Sequence, residues 1–128
     1  MNGATILVVE DNEKNLKLVR DVLQYAGYDV VAASSAELGV AIAMESPPDL
    51  VLMDLQLPGM DGTEALRQLR ESPRTRSVPV VAVTAFAMKE DRERALNAGF
   101  DGYLEKPISV QALPGQVRSF LPTEEVSP

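Results

Sequence analysis

A chain of 128 residues is long enough for one hydrophobic core and too short for two. Its 45% apolar and 24% charged residues are those of an ordinary folded protein, and a net charge of −7 argues against a nucleic-acid footprint or a basic lipid-binding surface. With no cysteine and no histidine, disulfides, thiol nucleophiles, imidazole acid–base chemistry and soft metal sites are excluded, so any metal must be a hard ion held by oxygen.

The first element is a strand, Thr5–Val9 (TILVV), followed by the acidic pair Glu10-Asp11. Leu16, Val19, Leu23 and Ala26 then recur at helical spacing, and Gly27 supplies a stop. A second strand covers Asp29–Ala33. Ser34-x-x-Glu37 has the form of a capping box ahead of a helix carrying Val40, Ala41 and Met44. The third strand, Leu50–Asp54 (LVLMD), is apolar up to its terminal carboxylate. Asp61-x-x-Glu64 opens a third helix with Leu66 and Leu69 on one face. Val80–Thr84 (VVAVT) is the fourth strand. A fourth helix is predicted over Lys89–Ala98, ended by Gly99, with Glu90 and Arg94 as an i,i+4 pair. Gly102–Glu105 is the fifth strand, followed by Lys106-Pro107. A fifth helix lies between Ser109 and Leu121. Proline belongs in a first turn, so Pro114 predicts that this helix becomes regular near Leu113. Met53, Met60 and Met88 read as core or loop packing.

Strands alternating with helices make a doubly wound α/β sandwich. The first, third and fourth strands are nearly continuous in apolar character, as strands buried on both faces must be. Residues 1–121 form the predicted domain, and 122–128 (PTEEVSP) a frayed polar tail. No basic leader or membrane-length apolar run is present, so the cytoplasm is the expected location.

Ligands of open parallel sheets sit beyond the carboxyl ends of the strands. Glu10 and Asp11 stand there after the first strand, Asp54 ends the third, Thr84 ends the fourth, and Lys106 follows the fifth. Singly, each has a commoner role: a helix cap, a strand-end turn residue, a β-branched strand residue, a surface lysine. Together they place three carboxylates, a hydroxyl and an ammonium at one edge. Clustered carboxylates repel, and ionise together at neutral pH only beside counter-charge. Lys106 supplies one unit, and Mg²⁺ could supply two more. A carboxylate left free to react can form an aspartyl phosphate, a chemistry that needs positioning and charge neutralisation above all.

Val8-Val9-Glu10-Asp11-Asn12, Met53-Asp54-Leu55-Gln56-Leu57-Pro58-Gly59-Met60-Asp61-Gly62, Val83-Thr84-Ala85 and Leu104-Glu105-Lys106-Pro107 together closely resemble the pattern of bacterial response-regulator receiver domains, over residues 4 to 121. The resemblance implies a flavodoxin-like (βα)5 fold with strand order 2-1-3-4-5. It implies Asp54 as phosphoacceptor and Mg²⁺ or Mn²⁺ held by Asp11, Asp54, the backbone carbonyl of Gln56 and, through water, Glu10. It further implies Lys106 as the partner of Asp54 and then of the phosphoryl group. Thr84 and Tyr103 are the implied switch pair, Tyr103 turning inward as Thr84 moves. Ala85 leaves room at the site, the Lys106–Pro107 bond is cis, and Gln56 and Phe86 flank the path of the hydrolytic water. Glu10 departs from the family's commoner aspartate, and a glutamate can still hold a water-bridged metal. Pro114-Gly115 departs from a regular fifth helix, a surface on which many receivers dimerise, so a monomer or weak dimer is expected.

The resemblance implies a regulator in a two-component phosphorelay, either a stand-alone receiver or one cut from a larger regulator. A histidine kinase or histidine phosphotransfer protein would be the donor, and a downstream protein the target, with no part for nucleic acid or membrane. A phosphorylation-independent binding module is the alternative, against which the complete Asp11, Asp54, Thr84 and Lys106 set speaks. A hydrolase of the aspartyl-phosphate type would want a second aspartate where Gln56 stands.

Overall fold

The computed structural model describes residues 3–57, 59–85 and 88–121. Five strands, β1 (Thr5–Val9), β2 (Asp29–Ala33), β3 (Leu50–Asp54), β4 (Val80–Thr84) and β5 (Gly102–Glu105), alternate with five helices. The helices are α1 (Glu13–Tyr25), α2 (Ala36–Glu45), α3 (Gly62–Glu71), α4 (Lys89–Ala98) and α5 (Leu113–Phe120). The strands form one parallel sheet in the order β2-β1-β3-β4-β5.

Successive strand residues face opposite sides of the sheet. Leu7, Val9, Val51, Met53, Val80 and Ala82 accordingly pack against Ala36, Val40, Leu66, Leu69 and Ala95 of α2, α3 and α4. Ile6, Val8, Leu50, Leu52, Val81 and Val83 meet Val19, Leu23, Leu113 and Val117 of α1 and α5. β3 and β4 are buried at every residue, whereas β2 at the edge is buried only at Ala33. Close approach of α2 to the sheet requires Gly39, since a Cβ there would lie 2.7 Å from Cγ2 of buried Val9.

Parallel register aligns the strand ends. Val9 lies beside Met53, Asp54 beside Val83, and Thr84 beside Glu105. The residues that follow or end these strands therefore project from one edge at nearly one level.

Three local expectations are corrected. The cap of α2 is Ser35, whose hydroxyl accepts the Leu38 N–H at 3.1 Å, in place of Ser34. The sheet continues to Ala33, whose carbonyl accepts the Glu10 N–H, so Ser34 carries the chain out of the sheet. Arg94 pairs with Asp91 at 3.0 Å, one turn back at i,i+3, in place of Glu90. Met88 precedes α4 with 68% of its surface exposed, whereas Met53 is buried and Met60 packs on the core. The fifth helix starts at Leu113 with Pro114 in its first turn. The tail, residues 122–128, lies outside the described residues, as do Pro58 and Phe86.

Candidate functional site at the carboxyl edge of the sheet

Asp54 is 2% exposed at the end of the central strand. One carboxylate oxygen, Oδ1, accepts the Gln56 backbone N–H at 2.8 Å, and the other, Oδ2, accepts from the Lys106 ammonium at 2.8 Å. Lys106 reaches the centre because β5 pairs with β4 up to Glu105 and the Lys106 N–H donates to the Thr84 carbonyl. The Lys106–Pro107 peptide bond is cis.

Glu10 is also buried. Its Oε1 lies 3.4 Å from the Lys106 ammonium, and its Oε2 accepts the Asn12 N–H at 3.0 Å. Asn12 in turn caps α1, accepting the Asn15 N–H. The same few atoms thus start a helix and orient a carboxylate. Asp11 is exposed, and carboxylate oxygens of Glu10, Asp11 and Asp54 lie within 4.8 Å of one another. Burial pushes the Glu10 carboxyl above its ordinary value; the Asn12 N–H and Lys106 oppose this, and Asp54 reinforces it. Burial pulls the Lys106 ammonium down, but the bond to Asp54 and the charges of Asp54 and Glu10 outweigh it and hold it above its ordinary value. Three oxygen donors beside one cation suit a small hard divalent ion.

A cleft of about 300 Å³ opens from this cluster, lined by Glu10, Asn15, Leu18, Asp54, Lys106 and Ile108. A second, of similar size, lies between α3 and α4 and is lined by Leu55, Thr63, Thr84, Ala95, Phe100 and Tyr103. Thr84 and Tyr103 therefore share one cleft. Thr84 is 2% exposed, and its hydroxyl donates to Oε1 of Gln56 at 3.3 Å. The Ala85 N–H donates to the same Gln56 oxygen at 2.7 Å. The family resemblance places Gln56 at the site by its backbone carbonyl and beside the path of the hydrolytic water; the bond from its side chain to Thr84 and Ala85 is a contact that no local pattern signals.

The Tyr103 ring packs on the core cluster that holds Met53, Leu66 and Phe100, and its hydroxyl is buried with no partner among the described residues. Burial, then the Asp91 and Glu105 carboxylates, push its phenol above the ordinary value against the pull of Arg92. Two outcomes are expected for Tyr103→Phe. Deleting a buried, unpaired hydroxyl stabilises the fold by about 1 kcal/mol near neutral pH. Because the phenol is raised by burial, its ionisation is costlier in the folded state, so wild-type stability is unaffected by it below about pH 10 and falls as pH rises toward the folded-state value. Urea unfolding across the alkaline range should therefore fall more steeply for wild type than for Tyr103→Phe; parallel curves would contradict the burial of the phenol.

A family model described as the response regulator receiver domain matches residues 6–118. The polar-differentiation response regulator DivK of Brucella ovis is 43% identical over 117 residues, which are 91% of this chain and 95% of that protein. Among solved structures, the receiver domain of the sensor histidine kinase PA1611 from Pseudomonas aeruginosa is similar, with a TM-score of 0.84 and 36% identity over 92% of this chain and 97% of that one. That structure has a magnesium ion coordinated in its active-site cleft. The chemotaxis protein CheY4 of Vibrio cholerae has a TM-score of 0.88 at 26% identity, covering 93% of this chain and 99% of its own.

Proposed function

The chain belongs to the response regulator receiver domain family of two-component systems, and from that premise we propose that it takes a phosphoryl group on Asp54 in the cytoplasm and thereby changes the surface it offers a protein target. The carrying observation is the buried Asp54 carboxylate, bonded at 2.8 Å to Lys106 and crowded by Glu10 and Asp11. A carboxylate so held is oriented and next to the positive charge that an incoming phosphoryl group requires.

The donor is a phosphohistidine on a histidine kinase or phosphotransfer protein, since this chain has no histidine of its own. An Asp54 oxygen attacks phosphorus, the P–N bond breaks, and its electron pair stays on the donor imidazole, which takes a proton from solvent. Asp11, Asp54, the Gln56 carbonyl and, through water, Glu10 would hold Mg²⁺ or Mn²⁺. The magnesium in the cleft of the similar PA1611 receiver supports this assignment. When bound, the ion supplies charge neutralisation for the phosphoryl oxygens. Lys106 turns from Asp54 to the phosphoryl group, and Thr84 moves toward it. The shared Thr84–Tyr103 cleft lets that movement be felt at the α4–β5 face. The similarity to the polar-differentiation response regulator DivK supports a response-regulator role.

The test is incubation with acetyl phosphate and Mg²⁺, read as intact mass, for wild type and Asp54→Asn. One phosphate on wild type, dependent on Mg²⁺ and missing from the variant, is the expected result. No adduct on wild type, together with no binding of beryllofluoride, would overturn the assignment and leave a binding module that works without phosphate.

A further inference from the structure

Two hydrogen-bond donors at the end of β4 converge on one oxygen. The Ala85 N–H and the Thr84 hydroxyl both point at Oε1 of Gln56, at 2.7 and 3.3 Å. This oxygen belongs to the residue whose backbone N–H holds Asp54 at 2.8 Å. Gln56 is thus tied at one end to the carboxylate and at the other to the loop after β4, 28 and 29 positions along the chain. Its side chain is exposed, so packing does not account for its placement. Sheet register puts Asp54 beside Val83, so the two donors belong to the first residues past the point where Asp54 meets its neighbouring strand.

We propose that Gln56 is a positioning residue whose side-chain carbonyl stands in for a phosphoryl oxygen, holding the Thr84 hydroxyl and the Ala85 amide until that oxygen replaces it. The inference rests on the reading of Asp54 as phosphoacceptor. The replacement has a direction, because an anionic oxygen is a stronger acceptor than a neutral amide carbonyl. It also has a threshold, because the Gln56 contacts must be given up first. The resting loop is therefore held by a bond that competes with the activating one, and the residue two positions after Asp54 sets how readily the loop engages the phosphoryl group.

The consequences separate by chemistry. Gln56→Met keeps the length of the side chain and deletes the acceptor. Gln56→Glu keeps an acceptor oxygen and adds charge. In metal-free buffer, hydrogen exchange at the Ala85 amide should be several-fold slower in wild type and Gln56→Glu than in Gln56→Met. With saturating Mg²⁺, beryllofluoride should bind Gln56→Met about two- to tenfold more tightly than wild type, the range of one net hydrogen bond. Gln56→Glu should bind it more weakly than wild type, because its charge repels the anion.

Both readouts use the full chain, by amide nuclear magnetic resonance. Equal Ala85 exchange in wild type and Gln56→Met, with beryllofluoride bound normally, would overturn the stand-in alone. Unchanged or weaker beryllofluoride binding by Gln56→Met would show that the contact does not compete, and would overturn it too. A wild type that binds no beryllofluoride at all would overturn the receiver chemistry beneath it.

Discussion

Replacing Lys106 by methionine will destabilise the metal-free protein by about 2–3 kcal/mol, and Mg²⁺ will restore more stability to the variant than it adds to wild type. Methionine keeps most of the apolar stem and removes the charge, so the loss reports electrostatics above packing. Lys106 lies 2.8 Å from Asp54 and 3.4 Å from Glu10, and both carboxylates are buried. Breaking a fully buried ion pair costs about 3–5 kcal/mol, chiefly by leaving the other charge uncompensated. The Lys106 side chain retains 20% of its exposure, and solvent there screens part of the interaction, which favours the lower end. The pocket keeps three carboxylates within 4.8 Å and loses the cation that pairs with Glu10 and Asp54 among the described residues, so a divalent ion becomes the counter-charge. Urea unfolding of both proteins with EDTA and with Mg²⁺ reads all four stabilities. A loss below about 0.5 kcal/mol without metal, the scale of an exposed pair, would mean that Lys106 contributes nothing beyond a surface contact.

That the pocket has these members is legible in the sequence for a geometric reason. The five strands are legible because each apolar run closes on a polar residue or is followed by one: Glu10, Ser34, Asp54, Thr84 and Glu105. Once the strands are parallel, every carboxyl end lies on one edge, and the residues that end or follow the strands meet there whatever the loops do. Asp54, Thr84 and Lys106 are of this kind. The strand order is different: nothing in the periodicity distinguishes 2-1-3-4-5 from other doubly wound orders, and it came with the family resemblance.

What escapes the sequence depends on side-chain reach across the fold. The Gln56 amide bridges to Thr84 and Ala85, and no spacing rule links these positions. Arg70 is similar at the opposite edge. It donates to the Val78 and Gly99 carbonyls and pairs with Asp101, which itself accepts the Val80 N–H. That network ties the end of α3 to the starts of β4 and β5, and helical periodicity shows only an exposed arginine. The helix-surface pairing of Arg94 fails for a related reason. Asp91 and Glu90 are both within a turn, and rotamer choice decides between i,i+3 and i,i+4.

Asp11→Asn is expected to reverse sign with metal. In EDTA the variant should equal wild type or exceed it by up to about 1 kcal/mol, because one of three mutually repelling carboxylates is gone and Asp11, being exposed, feels that repulsion through screening solvent. With Mg²⁺ at about one hundred times its dissociation constant, wild type should gain about 2.7 kcal/mol, a rise of roughly 10 °C in Tm for a domain of this size. The variant should gain little at the same concentration, because Asp11 is the carboxylate best placed to meet an ion arriving from solvent. Asp54 and Glu10 cannot give so clean a result, since each is bonded to Lys106 or to the α1 turn and its removal alters both. If Asp11→Asn were instead less stable without metal and as responsive with it, Asp11 would be serving the α1 turn, and Glu10 and Asp54 alone would have to account for any bound ion.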